Sequence, residues 1–368
     1  MTPRTSGTPG TLILGTRKGL LIFERRGGSW RHARTAHLGV PVPYAFYDSR
    51  TGLLWASLDH GHWGTKLSRS ADLGSTWTEV AAPKYPADAE VKDGVPATLR
   101  YVWVMAGGGA DHPSRLYLGT DPGGLFRSDD GGETFELVAG LWNHPSRKTQ
   151  WFGGGRDQPG IHSVLVDPRS SERVMVAISC AGVFATEDGG RSWTPRNRGQ
   201  VATFLPDPQS EVGQDPHIVV RAPSAPDVLW MQNHCGIFRS TNNAESWTMV
   251  SQEGGPAHFG FAIAVDEKRP DTAWVVPARS DEQRVPVGGA LCVCRTEDGG
   301  RSWTALRRGL PQEACFDLVY RHALDLRGST LAFGSTNGNL YASEDGGESW
   351  QTLSAHLPLV YSVRFADV

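Results

Sequence analysis

The sequence predicts an all-β fold: a seven-bladed β-propeller of four-stranded antiparallel blades, closed by the C-terminal strand joining the N-terminal blade. Three observations lead to this fold. A short sequence frame recurs along the whole chain, β-prone segments accompany each copy, and helical periodicity is almost absent. Glycine accounts for 44 of the 368 residues and tryptophan for 13, and glycine is therefore well above its average share of about 7%.

The recurring frame reads Ser/Thr-x-Asp-x-Gly-x-Thr/Ser-Trp/Phe. The five complete copies are 70–77, 128–135, 186–193, 296–303 and 343–350. A divergent copy covers 240–247, and only Gly28-Ser29-Trp30 remains of a more degenerate one, which brings the total to seven. The aspartate can accept hydrogen bonds from turn amides and the glycine can supply a positive φ, so each copy predicts a tight turn between two strands. The closing aromatic residue is expected to pack between neighbouring sheets.

The other strands of each blade precede the frame. Second strands are predicted at 12–15, 53–57, 116–119, 174–179, 228–232, 272–276 and 330–334. First strands are predicted at 44–48, 99–105, 162–167, 217–221, 259–266 and 317–320. The first blade has no such segment ahead of 11–16, whereas 359–366 carries the pattern of a first strand. We therefore expect one domain over 1–368, with blade 1 completed by 359–366, which removes two exposed sheet edges.

Composition and charge exclude several classes of protein. The formal net charge is −3 and charged residues make up 20%, which argues against a disordered chain and against a nucleic-acid binder. No apolar run approaches the ~20 residues of a membrane span, and residues 1–10 lack the apolar core of a signal peptide. The five cysteines contain no Cys-x-x-Cys pair. Reduced thiols and a cytoplasmic location are therefore expected, with Cys292 and Cys294 buried on one strand face.

The frame resembles the Asp box of BNR repeats, which occurs in sialidases and many other propellers. Over nearly its full length the chain also resembles a bacterial family of BNR-repeat, exo-sialidase-like glycosyl hydrolases. The matching segments are 15–20, 141–145, 160–163, 197–199, 232–236 and 308–311. The resemblance implies a carbohydrate or small polar ligand, with no cofactor.

The chain departs from true sialidases in three respects. Those enzymes have six blades, and they carry a Phe/Tyr-Arg-Ile-Pro motif near the N-terminus. The nearest text here is Val220-Arg221-Ala222-Pro223 in mid-chain. The tyrosine–glutamate nucleophile pair has no assignable counterpart either. Sialidase activity itself is therefore not expected.

Candidate site residues follow from the meander of each blade. The frame lies between strands three and four, so the turns between strands two and three and the connections between blades lie on the opposite face. Glycoside hydrolysis needs two carboxyl groups separated by roughly 5–10 Å. The candidates for this role are Asp93, Asp157, Asp215 and Asp317. The candidates for substrate binding are Arg17, His60, His62, Trp63, Arg100, Trp151, Arg156, His162, His217, His234, Arg279 and Tyr361.

The tryptophans outside the frame direct the search for function further. They include Trp63, Trp103, Trp142 and Trp151. Since the frame does not account for them, they are the aromatic residues at which we most expect contacts with a ligand.

Three other functions remain open at this level. His60, His62, His162, His217 and His234 are numerous enough to bind a metal, although we expect no metal and assign the imidazoles to loop hydrogen bonds. Cys235 could act as a nucleophile if a base such as His217 lay beside it. A non-catalytic scaffold that binds a protein or glycan is the main alternative, since similar propellers act as assembly factors for photosynthetic complexes. No nucleic-acid or membrane partner is expected.

Overall fold

Seven four-stranded antiparallel sheets follow one another along the chain in the computed structural model, which describes residues 9–366. This arrangement confirms the predicted seven-bladed propeller. Most of the N-terminal segment considered above, 1–10, lies outside the described residues. Within the described residues, no helix has both the length and the apolar character needed to span a bilayer.

Strands are numbered outward from the propeller axis within each blade. Blade 1 consists of Val360–Ala366, Thr11–Thr16, Gly19–Arg26 and Ser29–Ala36. Blade 2 consists of Tyr44–Asp48, Leu53–Asp59, Thr65–Ser70 and Thr78–Val80. Blade 3 consists of Tyr101–Gly107, Leu116–Asp121, Leu125–Ser128 and Glu136–Leu137. Blade 4 consists of Ile161–Asp167, Ser170–Ile178, Gly182–Thr186 and Thr194–Pro195.

The remaining blades repeat the pattern. Blade 5 consists of Pro216–Arg221, Leu229–Asn233, Gly236–Ser240 and Thr248–Met249. Blade 6 consists of Gly260–Val265, Ala273–Pro277, Val293–Thr296 and Thr304–Leu306. Blade 7 consists of Leu324–Arg327, Thr330–Gly334, Leu340–Ser343 and Gln351–Ser354. The connections hold a small hairpin, two short helices and two 3-10 turns. They are Glu90–Lys92 with Val95–Pro96, Ala139–Trp142, Arg147–Gln150, Gly61–Trp63 and Val287–Gly289.

The ring closes through blade 1. Val360–Ala366 pairs antiparallel with Thr11–Thr16, so that Leu14 lies opposite Val363 and Leu12 opposite Phe365. Leu12, Leu14 and Val363 are fully buried in one apolar cluster that runs from blade 6 through blade 7 into blade 1. The C-terminal strand thus links the two ends of the chain by hydrogen bonds and by core packing.

The repeated frame forms the predicted turn between strands three and four. In blade 4, Asp188 Oδ1 accepts hydrogen bonds from the Ser192 amide at 3.0 Å and from the Thr186 hydroxyl at 2.7 Å. Gly190 adopts a φ of +95°, which only glycine reaches without strain. The Trp193 indole donates to the Gly190 carbonyl at 3.1 Å, and its ring is buried. These turns all lie on one face of the ring.

Blade 7 differs from the sequence prediction in its first strand. The predicted strand 317–320 belongs to the inter-blade connection, and the strand itself is Leu324–Arg327. The reason is that Asp317 binds its own blade, since it accepts hydrogen bonds from the side chains of Ser335, Asn339 and Tyr341. The segment 318–323 then leads from Asp317 to the innermost strand Leu324–Arg327.

Candidate functional site

A cavity of about 630 Å³ opens at the axis of the ring, on the face opposite the frame turns. Its wall comes from the starts of innermost strands, from turns between strands two and three, and from inter-blade connections. The lining residues are Pro43, Tyr101, Trp103, Phe152, Gly154, Gly155, Arg156, Ser179, Cys180, Phe204, Asp215, His217, His234, Phe261, Asp281, Arg284, Tyr320, Arg321, His322 and Tyr361. A volume of this size falls within the ~300–1,000 Å³ of ordinary ligand pockets.

One carboxylate and two imidazoles meet in the wall formed by blade 5. Asp215 and His217 are buried at the start of the innermost strand, and His234 is half-buried in the turn between strands two and three. Asp215 Oδ2 lies 3.4 Å from His234 Nδ1 and 3.7 Å from His217 Nε2. These three side chains offer one ligand atom each and could hold a metal ion.

Each member of this group has a second contact that fixes its orientation. Asp215 Oδ1 accepts a hydrogen bond from the Cys180 amide at 3.1 Å. His217 Nδ1 lies 2.6 Å from the Gly260 carbonyl. His234 Nε2 lies 3.6 Å from Oδ2 of Asp281, which the blade 6 insertion provides. The two carboxylates therefore face opposite nitrogens of one imidazole ring.

The same neighbours set the charge states. Burial disfavours the charged form of Asp215, but His217 and His234 outweigh it and hold the pKa of this carboxyl well below its ordinary value. The Asp215 carboxylate raises the pKa of His234. Burial lowers the pKa of His217, although Asp215 opposes the change. At neutral pH the group thus contains a carboxylate anion beside a neutral, buried His217.

Three arginines and several aromatic rings complete the cavity wall. The Arg156 guanidinium lies over the ring of Trp103 at 4.9 Å and donates to Asp121 Oδ2 at 2.8 Å. Arg321 lies over Trp103 at 5.1 Å and over Phe261 at 5.3 Å. Its Nε has no acceptor among residues 9–366, and burial lowers its pKa to about 10. Arg321 thus places a positive charge in the cavity wall.

The structure brings one of the four predicted carboxylates, Asp215, into the cavity wall. Asp157 is 84% exposed and pairs with Arg100 at 3.1 Å, and Asp93 is 92% exposed and pairs with Lys148 at 2.6 Å. Asp317 is buried among hydrogen-bond donors of blade 7. Neither Asp157, Asp93 nor Asp317 lines the cavity.

Four of the predicted substrate-binding residues line the cavity: Arg156, His217, His234 and Tyr361. Six other predicted residues do not line the cavity. Five of them are exposed, namely Arg17, His62, Trp63, Arg100 and Arg279, and His60 is partly exposed. His162 is buried against Trp103, with ring centroids 5.7 Å apart. Trp151 is buried and donates to the Ser146 hydroxyl at 3.0 Å, and Trp142 is buried beneath Arg147.

Trp103 lines the cavity, as one of the tryptophans outside the frame that the sequence analysis singled out. Tyr101 and Phe261 also line it and were absent from the sequence prediction. All three lie among the first residues of innermost strands, so a search for aromatic residues at those positions would have found them. The sequence analysis placed Tyr320 at the end of a predicted strand, with Arg321 directly after it. In the structure both residues lie in the connection between blades 6 and 7. The Cys235 thiol lies 3.5 Å from the Thr203 hydroxyl, and Cys235 does not line the cavity.

Comparison with known proteins finds partial sequence relatives and solved structures of the same fold. No protein-family model matches the chain. It is 28% identical over 217 residues to an oligoxyloglucan-reducing end-specific xyloglucanase of Emericella nidulans, in an alignment that covers 51% of this chain and 25% of that protein. The chain thus spans about a quarter of the length of this relative.

Solved structures show the same architecture. A GH74 xyloglucanase from Xanthomonas campestris matches with a TM-score of 0.65 at 17% identity, covering 94% of this chain and 53% of the enzyme. The structure of YCF48 bound to D1 peptide matches with a TM-score of 0.53 at 14% identity, covering 95% of this chain and 86% of that one. At these identities, the two likenesses are likenesses of fold.

Proposed function

We propose that this protein is a carbohydrate-active propeller of the glycoside hydrolase type, and that its central cavity binds the saccharide. The observation that carries the proposal is the cavity wall itself, in which aromatic rings stand beside the side chains of three arginines, Arg156, Arg284 and Arg321. Sugar rings present apolar C–H faces that pack on aromatic rings, while their hydroxyl groups need polar partners. The sequence similarity to a xyloglucanase supports the same class of ligand.

Trp103 is the central element of this binding surface. The guanidinium groups of Arg156 and Arg321 lie 4.9 and 5.1 Å from the centre of its ring. A sugar packed against Trp103 would have both guanidinium groups nearby. Asp215 and Asp281 then offer acceptors for hydroxyl groups at the blade 5 wall.

We place any hydrolytic chemistry on Asp215 and Asp281. They contact opposite nitrogens of His234 at 3.4 and 3.6 Å. Their facing oxygens are therefore no more than about 9 Å apart, and inverting glycosidases separate their carboxyl groups by ~6.5–9.5 Å. Asp215 keeps its charge because of the two histidines, so it suits the role of a base better than that of an acid.

The first test is calorimetric titration with neutral and acidic oligosaccharides, including xyloglucan fragments. The expected result is binding of at least one oligosaccharide, weakened about tenfold by Trp103→Ala, since loss of ~1.4 kcal/mol of ring contact corresponds to that factor. Trp103→Phe should restore most of the affinity. The absence of binding to every oligosaccharide at millimolar concentration would overturn the proposal.

The second test measures release of new reducing ends from the bound oligosaccharides. Asp215→Asn and Asp281→Asn should each lower turnover by at least tenfold. Asp207→Asn, an exposed carboxylate that does not line the cavity, is the matched control and should match the unmodified protein. Binding without turnover would refute the hydrolytic part of the proposal and identify the protein as a non-catalytic carbohydrate binder.

A protein-binding scaffold is the second candidate, and one observation favours it. Exposed large apolar residues cluster in loops of the cavity face. They are Leu38, Trp63, Val95, Phe204, Val287 and Phe316. Exposed apolar residues concentrated on one face are typical of interaction surfaces. A protein partner whose capture is lost in Leu38→Ser and Phe316→Ser, with saccharide binding unchanged, would establish this function.

A further inference from the structure

We infer that Asp215, His217 and His234 form a binding site for a transition-metal ion, with zinc the best fit, at the blade 5 wall of the cavity. This inference does not rest on the proposed saccharide binding, because a metal ion can bind here whether or not a saccharide does. Where zinc occupies the site, Asp215 is a ligand of the ion and not the base of the hydrolysis considered above. The three ligand atoms are close together, their side chains are held by outer contacts, and the group lines the cavity.

The spacing suits a shared ion better than direct hydrogen bonds. The distances from Asp215 Oδ2 to His234 Nδ1 and His217 Nε2 are 3.4 and 3.7 Å, longer than the 2.7–3.2 Å of ordinary N–H···O bonds. Zinc bonds to nitrogen and oxygen of about 2.0–2.2 Å place neighbouring tetrahedral ligands ~3.3 Å apart. All three ligand atoms lie within 4.8 Å of one another, and a small rotation of the half-buried His234 would tighten the group.

The tautomer of His217 points to the same conclusion. A carbonyl oxygen can only accept a hydrogen bond, so the 2.6 Å contact with Gly260 places the proton of the neutral ring on Nδ1. Nε2 then carries a lone pair directed at the Asp215 carboxylate. Two such acceptors need a cation between them, which is either a metal ion or a second proton on the His217 ring.

Each ligand also has the outer partner that metal sites usually provide. Ligating histidines generally direct their other ring nitrogen to a carbonyl or a carboxylate. The Gly260 carbonyl does this for His217, and the Asp281 carboxylate lies beside the other nitrogen of His234. The Cys180 amide holds the second oxygen of Asp215. The orientations of Asp215 and His217 are therefore fixed from behind, His234 is the ligand that can turn, and all three line the cavity.

The donor set selects the class of metal. Two imidazoles and one carboxylate suit zinc and its late first-row neighbours, whereas calcium and magnesium require mostly oxygen ligands. Three protein ligands leave a fourth position open toward the cavity, where water or an oxygen of a ligand can bind.

The experiment measures metal content and affinity directly. Protein stripped with a chelator is titrated with Zn²⁺ by calorimetry, and bound zinc is counted by elemental analysis after dialysis. We expect one zinc per chain, no comparable binding of Mg²⁺, and a higher melting temperature with zinc, since binding to the folded state alone stabilises it. Co²⁺ in the same site should give the visible absorption of a four- or five-coordinate ion.

Variants decide whether these residues hold the ion. Asp215→Asn, His217→Gln and His234→Gln should each weaken zinc binding by at least tenfold, and Asp281→Asn by about 10–100-fold through His234. His356→Gln, an exposed histidine, is the matched control and should bind as the unmodified protein does. His234 is the most exposed ligand, so its variant remains informative if a buried variant misfolds. Failure of the unmodified protein to retain zinc, or zinc binding undiminished in His234→Gln and Asp215→Asn, would overturn the inference.

Discussion

Single residues at the axis show how burial fixes protonation. His322 is 4% exposed, and its Nε2 lies 2.8 Å from the carbonyl of His162. Burial is the largest cause that lowers the pKa of His322 to about 3, and it also lowers the pKa of His162 well below the ordinary value. Both imidazoles therefore stay neutral in the folded protein at mildly acidic pH.

This state makes the stability of the protein depend on pH. In the unfolded chain a histidine takes up a proton near pH 6.5, whereas folded His322 does not, so the unfolded state binds more protons. The stabilising contribution of neutral His322 is thus complete above about pH 6.5 and is lost as the pH falls toward 3. Between pH 6 and 4, this residue should contribute a slope of about 1.4 kcal/mol per pH unit to the free energy of unfolding.

Urea unfolding at a series of pH values checks the prediction. His322→Gln can keep the donor to the His162 carbonyl but cannot titrate, so it should flatten the slope by about 1.4 kcal/mol per pH unit. His356→Gln removes an exposed histidine and should leave the slope unchanged. An equal slope in the unmodified protein and in His322→Gln would show that His322 titrates normally.

At the scale of the element, the frame turn is a self-contained hydrogen-bonded unit. Blade 5 shows this because its incomplete frame has Asn242 where the complete frames have aspartate. The Asn242 Oδ1 still accepts a hydrogen bond from the Ser246 amide at 3.0 Å. Ala244 occupies the glycine position with a φ of +63°. The turn therefore tolerates the loss of the carboxylate charge and of the glycine when its hydrogen bonds persist.

Two adjacent glycines in the blade 3 turn separate backbone strain from packing. Gly131 and Gly132 have φ of +77° and +86°. A Cβ on Gly131 would meet open space, whereas one on Gly132 would overlap the buried ring of Trp55. Gly131→Ala should therefore cost about 1 kcal/mol of unfolding free energy, the usual strain of a left-handed alanine. Gly132→Ala should cost roughly 1–3 kcal/mol more through overpacking.

Denaturant unfolding of the two variants measures both quantities. Since both substitutions are glycine to alanine in one turn, the difference between them isolates the contact with Trp55. Equal losses of stability would mean that the ring of Trp55 moves aside without penalty. A second change, Trp55→Phe combined with Gly132→Ala, should recover part of the packing loss, because it removes the overlapping ring atoms.

For the whole molecule, local sequence was sufficient for the fold but not for the site. The turns were predictable because each frame closes its own hydrogen bonds within eight residues, as Asp188 does with Thr186 and Ser192. Blade order and closure followed from the repeat. The distance of each loop residue from the propeller axis could not be predicted, because it depends on the path that each connection takes. Asp157 and Arg156 are neighbours in sequence, yet one is 84% exposed and the other lines the cavity.

The closure of the ring supports the last prediction. Deletion of 359–368 would remove the innermost strand of blade 1 and leave the hydrogen-bonding edge of Thr11–Thr16 without a partner. It would also remove Val360 and Val363, both fully buried, from the cluster that joins blades 6, 7 and 1. Exposed strand edges and uncovered core favour partial unfolding and aggregation. The shortened chain should therefore melt at a clearly lower temperature than the full chain.

A point variant and a peptide complete this test. Leu14→Ala, directly opposite Val363 and fully buried, should cost about 2–5 kcal/mol of unfolding free energy, because the closing interface loses packing while the backbone pairing remains. A synthetic peptide of residues 356–368, added to the shortened chain, should raise its melting temperature, and a scrambled peptide should not. If the shortened chain has the same melting temperature as the full chain, the C-terminal strand contributes nothing to stability. Rescue by the native peptide alone would instead show that ring closure depends on this specific strand, since only the native register matches Leu14 with Val363.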